Sequence, residues 1–153
     1  MTFEHRAWSG VALGVALALI AAGGVARAVA GPEAVLRAYL EATKKGDYAT
    51  AYQYVSEAMR GGKDKDAWVA ETKAFMSFAD VKIFDFKVGP GKVDGDKAQV
   101  PNRLESQDRF ANTLGLTEYE LYTLVKEHGE WKVDSQLLLE PPQVPKWFPD
   151  ATQ

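Results

Sequence analysis

Around Asp80 the spacing of apolar residues changes, and that change limits the fold more than any other feature of the chain. Before it, apolar positions recur at helical intervals. PEAVLRAYLEATKKGD opens with Pro32, suited to a first helical position, sets Val35, Leu36, Tyr39, Leu40 and Thr43 on one face, and stops at Gly46. Asp47 is placed to cap a second helix, YATAYQYVSEAMR, with Ala51, Tyr52, Val55 and Met59 on one face and Gly61-Gly62 at its end. Asp66 is placed to cap a third, AWVAETKAFMSFA, in which Trp68, Thr72, Phe75 and Met76 recur at helical spacing. After Asp80 the period becomes two. VKIFDFKV alternates, AQVPNRLESQDRF and YELYTLVKE read as strands, and EWKVDSQLL follows the hairpin signal His128-Gly129. Asp94-Gly95 marks another turn, and Pro101 moves the first part of its strand toward an edge. Helices first and antiparallel strands second predict an α+β fold, three N-terminal helices packed on one face of a curved antiparallel sheet.

Residues 1–30 stand apart. No charge interrupts the chain between Arg6 and Arg27, and the run is rich in Ala, Gly, Val and Leu. Two readings of it stay open. A signal peptide would end in the small residues Ala28-Val29-Ala30 and leave Gly31 as the new N-terminus. An uncleaved anchor would use residues 7–26, enough to cross a hydrocarbon core of about 30 Å as a helix. Either places residues 31 onward outside the cytoplasm: periplasmic, secreted or tethered to a membrane. The expected organisation is a leader or anchor over 1–30, a domain over 31–140, and a Pro-rich tail over 141–153, docked by Trp147 and Phe148.

Composition removes several classes of function. The chain holds no cysteine, which excludes disulfides, thiolate metal sites and cysteine nucleophiles. Its formal net charge is -3, and its densest basic stretch, Lys63 to Lys65, is interrupted by Asp64 and followed by Asp66, so no phosphate-tracking surface for nucleic acid is expected. His5 lies in the leader and His128 in a turn; neither has a partner at metal-ligand spacing, and no metal or other cofactor is predicted.

The run PEAVLRAYLEATKKGDYATAYQYVSEAM, with YELYTLVKEHGEWKVD at the far end, resembles the NTF2-like (cystatin-like cone) superfamily, especially its exported domains of the DUF4878 and lumazine-binding-like type. The similarity covers about residues 32–139 and is architectural: Gly46 and Asp47 join two helices, while Gly129 and Trp131 build a hairpin with a buried anchor. The resemblance implies a cone with a cavity between bent sheet and long helix, used in different members for catalysis, small-molecule binding or protein association. Homodimers through the sheet are among the associations it implies. Fold alone does not fix function.

Of single residues, Asp85 is the natural candidate for a buried carboxylate base of an isomerase or dehydratase, but Phe84 and Phe86 are the bulkier pair and should mark the core side, turning Asp85 to solvent. No catalytic residue is therefore assigned. Tyr39 and Tyr52, on apolar helix faces, and Asn102, Thr123 and Ser135, on strand faces beside Leu121, Val125, Trp131 and Val133, are the candidates for contact with a cavity ligand, since polar groups inside a sheet's concave face need partners. The expectation is a non-catalytic extracytoplasmic domain that binds a small apolar or amphipathic molecule or a protein. The alternatives are a membrane-anchored accessory subunit of an envelope complex and a ketosteroid-isomerase-like enzyme.

Overall fold

The computed structural model describes residues 29–152. The leader or anchor assigned to residues 1–30 lies almost wholly outside them. Among the described residues no helix is long and apolar enough to cross a membrane.

Helix α1, Pro32–Lys44, forms as its sequence predicts, with Pro32 at its start and Val35, Leu36, Tyr39, Leu40 and Ala42 buried. Gly46, at φ 72°, ends it: the amides of Gly46 and Asp47 return to the carbonyls of Thr43 and Ala42. Asp47 then caps α2, Tyr48–Ala51, its Oδ1 accepting from the amide of Thr50 at 3.0 Å.

The second predicted helix does not run through to Arg60. After a 3₁₀ turn over Tyr52–Tyr54 the chain extends at Val55, which forms a parallel bridge with Val133, and the amide of Ser56 donates to the carbonyl of Val133 at 2.9 Å. Helical periodicity is overridden there because Val55 gains full burial against the sheet. Ser56 restarts the helix as α3, Glu57–Arg60: its Oγ accepts from the amide of Met59 and donates to Asp134 Oδ1 at 2.6 Å. The cap of α4, Lys65–Phe78, is Asp64 rather than Asp66; Asp64 Oδ1 accepts from the amide of Ala67 at 2.9 Å, leaving Asp66 in the first turn, where the helix dipole favours an acid. Trp68 of α4 is buried, whereas Phe75 is 63% exposed, so the predicted apolar face packs only at its N-terminal end.

Among the described residues five antiparallel strands follow: β1 Lys82–Val88, β2 Lys92–Asp94, β3 Lys97–Gln107, β4 Thr117–Glu127 and β5 Glu130–Leu138. Their order is β1-β3-β4-β5, with β2 sharing the β1 side of β3. The turn at His128-Gly129 has both residues at positive φ, 51° and 80°, the geometry that matches the twist of a two-residue hairpin. Pro101 is not at an edge. It is buried inside β3, opposite Leu121 of β4, and its carbonyl accepts from the amide of Gly89 on the other side at 2.8 Å. In an extended strand a residue's N and C=O point to the same side, so the missing Pro101 N–H falls on the β1 side and removes no bond to β4.

Leu36, Leu40, Val55, Val100, Tyr122, Leu124, Trp131 and Val133 build the core between α1 and the inner face of the sheet. The tail after β5 consists of a 3₁₀ turn over Pro141–Gln143, α5 Val144–Trp147 and a second 3₁₀ turn over Pro149–Thr152. It packs on the outer face of the sheet, where the rings of Phe148 and Tyr119 lie 4.8 Å apart.

Candidate functional site

Register decides which side chains share the inner face. Tyr122 stands opposite Val100, Glu120 opposite Asn102 and Glu118 opposite Leu104; on the other side Tyr122 meets Gln136 and Glu120 meets Leu138. A row of hydrophobic core residues thus gives way, one strand step along, to a buried carboxylate. Glu120 is 2% exposed. Its Oε2 accepts from Asn102 Nδ2 at 2.8 Å, and its Oε1 accepts a short hydrogen bond from Gln136 Nε2. Burial raises its pKa above the usual carboxylate range, against the lowering effect of hydrogen bonds from Asn102, Gln136 and Tyr122.

Two tyrosines complete the cluster. Tyr39 of α1 and Tyr122 meet edge to face with ring centroids 6.4 Å apart. Burial pushes the Tyr39 hydroxyl up to about 12 and that of Tyr122 well above its ordinary range, with the Glu120 charge adding to both. Both therefore remain protonated donors at neutral pH. One acceptor is left over: Asn102 Oδ1 is buried and has no hydrogen-bond partner among the described residues. Turning the amide over would only transfer the deficit to its nitrogen. An orphaned polar atom in a buried site is costly and points to a missing partner.

The cluster has one exposed member, Gln136, and beside it Leu138, 54% exposed. Leu138 also lines a recess of about 460 Å³ with Leu116, Glu118, Leu139 and Val144, between the tail and the loop that joins β3 to β4. Ser106 Oγ donates to Glu118 Oε2 at 2.8 Å on its margin. The joining loop is held rigidly. Asp108 accepts from the amides of Phe110, Ala111 and Asn112, and Asn112 bonds both the amide and the carbonyl of Leu116 and the carbonyl of Ser106. On this braced loop and the neighbouring end of α4, Phe78 and Phe110 stack at 5.4 Å, and Phe75, Leu114 and Leu116 are exposed as well.

Two of the residues singled out in the sequence belong to this cluster: Asn102 bonds Glu120 directly, and Tyr39 joins it through the ring of Tyr122. The other three do not. Tyr52 packs on Trp68 and under Arg60, and its hydroxyl donates to the carbonyl of Lys63 at 3.4 Å, so its contacts belong to the helical layer. Thr123 and Ser135 pair with each other on the outer face, away from Trp131 and Val133, because β5 carries an extra residue, Asp134, between the partners of Thr123 and Leu124. Asp85 is solvent-facing, with its nearest cation, Lys44 Nζ, at 3.9 Å. Phe84 was expected on the core side with Phe86, yet a register shift between Ile83 and Asp85 turns it outward, 53% exposed. Glu120 was missed; its alternation with Tyr122 and Leu124 in EYELYTL was the available signal.

No family model matches the chain, and no curated protein matches it in sequence. Solved structures resemble it in fold. A SEC-C motif containing protein from Rhodopseudomonas palustris is 17% identical with a TM-score of 0.54, over 71% of this chain and 79% of that one. A candidate ketosteroid isomerase from Shewanella frigidimarina is 16% identical with a TM-score of 0.50, over 73% and 98%. An NTF2-like protein of unknown function from Cytophaga hutchinsonii is 12% identical with a TM-score of 0.44, over 73% and 93%. At these identities the likeness concerns architecture alone. It shows a shared fold, helices packed against an open antiparallel sheet, and nothing narrower.

Proposed function

We propose that this chain is an exported NTF2-like domain of the DUF4878 or lumazine-binding-like kind that binds a small amphipathic molecule through the inner-face cluster. The observation that carries the reading is the buried Glu120, bonded by Asn102 and Gln136 beside the hydrophobic core, with the Asn102 oxygen left unpaired. A hydroxyl or amine on the ligand satisfies that oxygen once the exposed Gln136 side chain moves aside. The apolar body of the ligand then lies over Leu138 in the adjoining recess, whose size suits a small molecule. The leader run between Arg6 and Arg27 supports the extracytoplasmic part of the reading, by cleavage or as an anchor.

The test is native mass spectrometry of the full chain, expressed with its own leader and recovered from membrane and soluble envelope fractions. A reproducible added mass that disappears in Asn102→Leu and Glu120→Gln supports binding at the cluster. An added mass that both variants retain, or none in either fraction, overturns it. Acid–base catalysis by Glu120 is the alternative chemistry of the same cluster, and it predicts the opposite split: Glu120→Gln keeps the ligand and loses turnover.

A second reading is carried by the exposed Phe75, Phe78, Phe110 and Leu114 on the braced end of the molecule. Large apolar groups held out rigidly mark interaction surfaces. The first described residues, Val29 and Ala30, line a recess with Trp131 and Lys132 at the opposite, hairpin end. A membrane-anchored accessory subunit would therefore present this surface away from the membrane, toward a protein partner. Recovery of the anchored form in a defined complex that Phe110→Ser dissolves is the result this reading predicts.

A further inference from the structure

The outer face of the sheet carries a row that no part of the Glu120 site uses. Lys87 of β1 stands opposite Arg103 of β3, and Arg103 stands opposite Tyr119 of β4. Like charges placed directly across an antiparallel pair repel. Glu105 offsets part of this, its Oε1 accepting from Arg103 Nη2 at 2.9 Å. The guanidinium is nonetheless incompletely paired, because Arg103 Nε is buried with no hydrogen-bond partner among the described residues. That unpaired donor is costly, and the part of the guanidinium side chain an acceptor can reach is the 42% that stays exposed.

From the tail, Trp147, Phe148 and Asp150 flank Lys87, Arg103 and Tyr119 around a half-open recess of about 380 Å³, within the range of small-molecule sites. Trp147 is itself steadied by Lys92, whose Nζ lies 4.3 Å from its ring centre. The lining thus offers two cations against one acid, with Glu105 paired to Arg103 from outside it, together with three aromatic rings. A cationic ligand would meet Lys87 and Arg103, and a bare inorganic anion would leave the rings uncovered.

We propose that this pocket binds a planar aromatic anion, with its carboxylate or sulfonate on Arg103 and Lys87 and its ring system against Tyr119, Trp147 and Phe148. It is a second site, on the face opposite Glu120, and it stands or falls independently of the function proposed for that cluster.

The full chain is titrated with 1-anilinonaphthalene-8-sulfonate and, separately, with N-phenyl-1-naphthylamine, which has the same rings without the charge. Energy transfer from Trp147, identified by its loss in Trp147→Phe, reports binding at this site. The expected result is saturable binding of the sulfonate that Arg103→Gln weakens about tenfold through loss of charge-assisted hydrogen bonds, while the uncharged probe is unaffected. Lys87→Gln should weaken the sulfonate in the same direction. Arg103 is partly exposed, so the variant keeps its fold; an unchanged far-ultraviolet circular dichroism spectrum verifies this. Sulfonate binding that survives Arg103→Gln, or that disappears in Phe110→Ser at the exposed apolar end, overturns the proposal.

Discussion

The two ends of the sheet are alike in composition and opposite in fate. At the hairpin end Leu124, Trp131 and Val133 are buried under α1 and the extended residue Val55. At the other end Phe75, Phe78, Phe84, Phe110, Leu114, Leu116 and Leu138 are more than half exposed. The difference lies in the helical layer. Helix α1 and the Val55 bridge cover one end, whereas α4 buries Trp68 near its start and leaves its last turns open. Apolar content alone does not decide burial; the topology decides which apolar residues find a partner. Glu120 sits at the boundary, where the covered face gives way to the open one.

The sharpest way to break this comparison is Leu124→Ala. Leu124 is fully buried, so its truncation should lower unfolding free energy by about 3 kcal/mol in urea titration, within the usual range for such cavities. A cost near zero would show that the hairpin end is not the core. Ser56→Ala removes both the cap of α3 and the bond to Asp134, and should cost about 1–2 kcal/mol by the same measurement.

The boundary itself is read by pH. Because burial raises the Glu120 pKa, the fold binds that proton more tightly than the unfolded chain does. Its contribution to stability is therefore fully present below the ordinary carboxylate pKa and is lost as pH rises through the folded value. Glu120→Gln should flatten that part of the stability profile, and a profile identical to the parent's would place Glu120 in contact with water. The smallest effect belongs to the open end: Phe110→Ser should change stability by no more than about 0.5 kcal/mol in the same urea titration, as exposed positions do. A loss as large as that for Leu124 would erase the distinction between the two ends.

Local chemistry was the legible part of the sequence. Gly46-Asp47 and His128-Gly129 set their turns through backbone torsion and capping, which involve only neighbouring residues, and α1 follows from its own periodicity. What escaped depends on distant partners. Val55 leaves its helix for Val133, Asp134 shifts β5 so that Ser135 changes face, and Phe84 turns outward at a register shift in β1. The same blindness hid Glu120. Leu121, Thr123 and Val125 looked like the apolar face of β4, yet the side chains of Tyr122 and Leu124 are the ones that meet the helices, and only the pairing with Asn102 and Gln136 makes a buried carboxylate tolerable.

Pro101 gives the sheet a mechanical asymmetry. Along β4 the third strand is bonded without a break, while its opposite side is divided between β1 and β2, with the proline and the Gly89–Gly91 link at the division. One margin behaves as a continuous plate and the other as two plates meeting at a crease. The β3–β4–β5 ladder that holds Asn102, Glu120 and Gln136 in register thus depends on none of the bonds interrupted at Pro101.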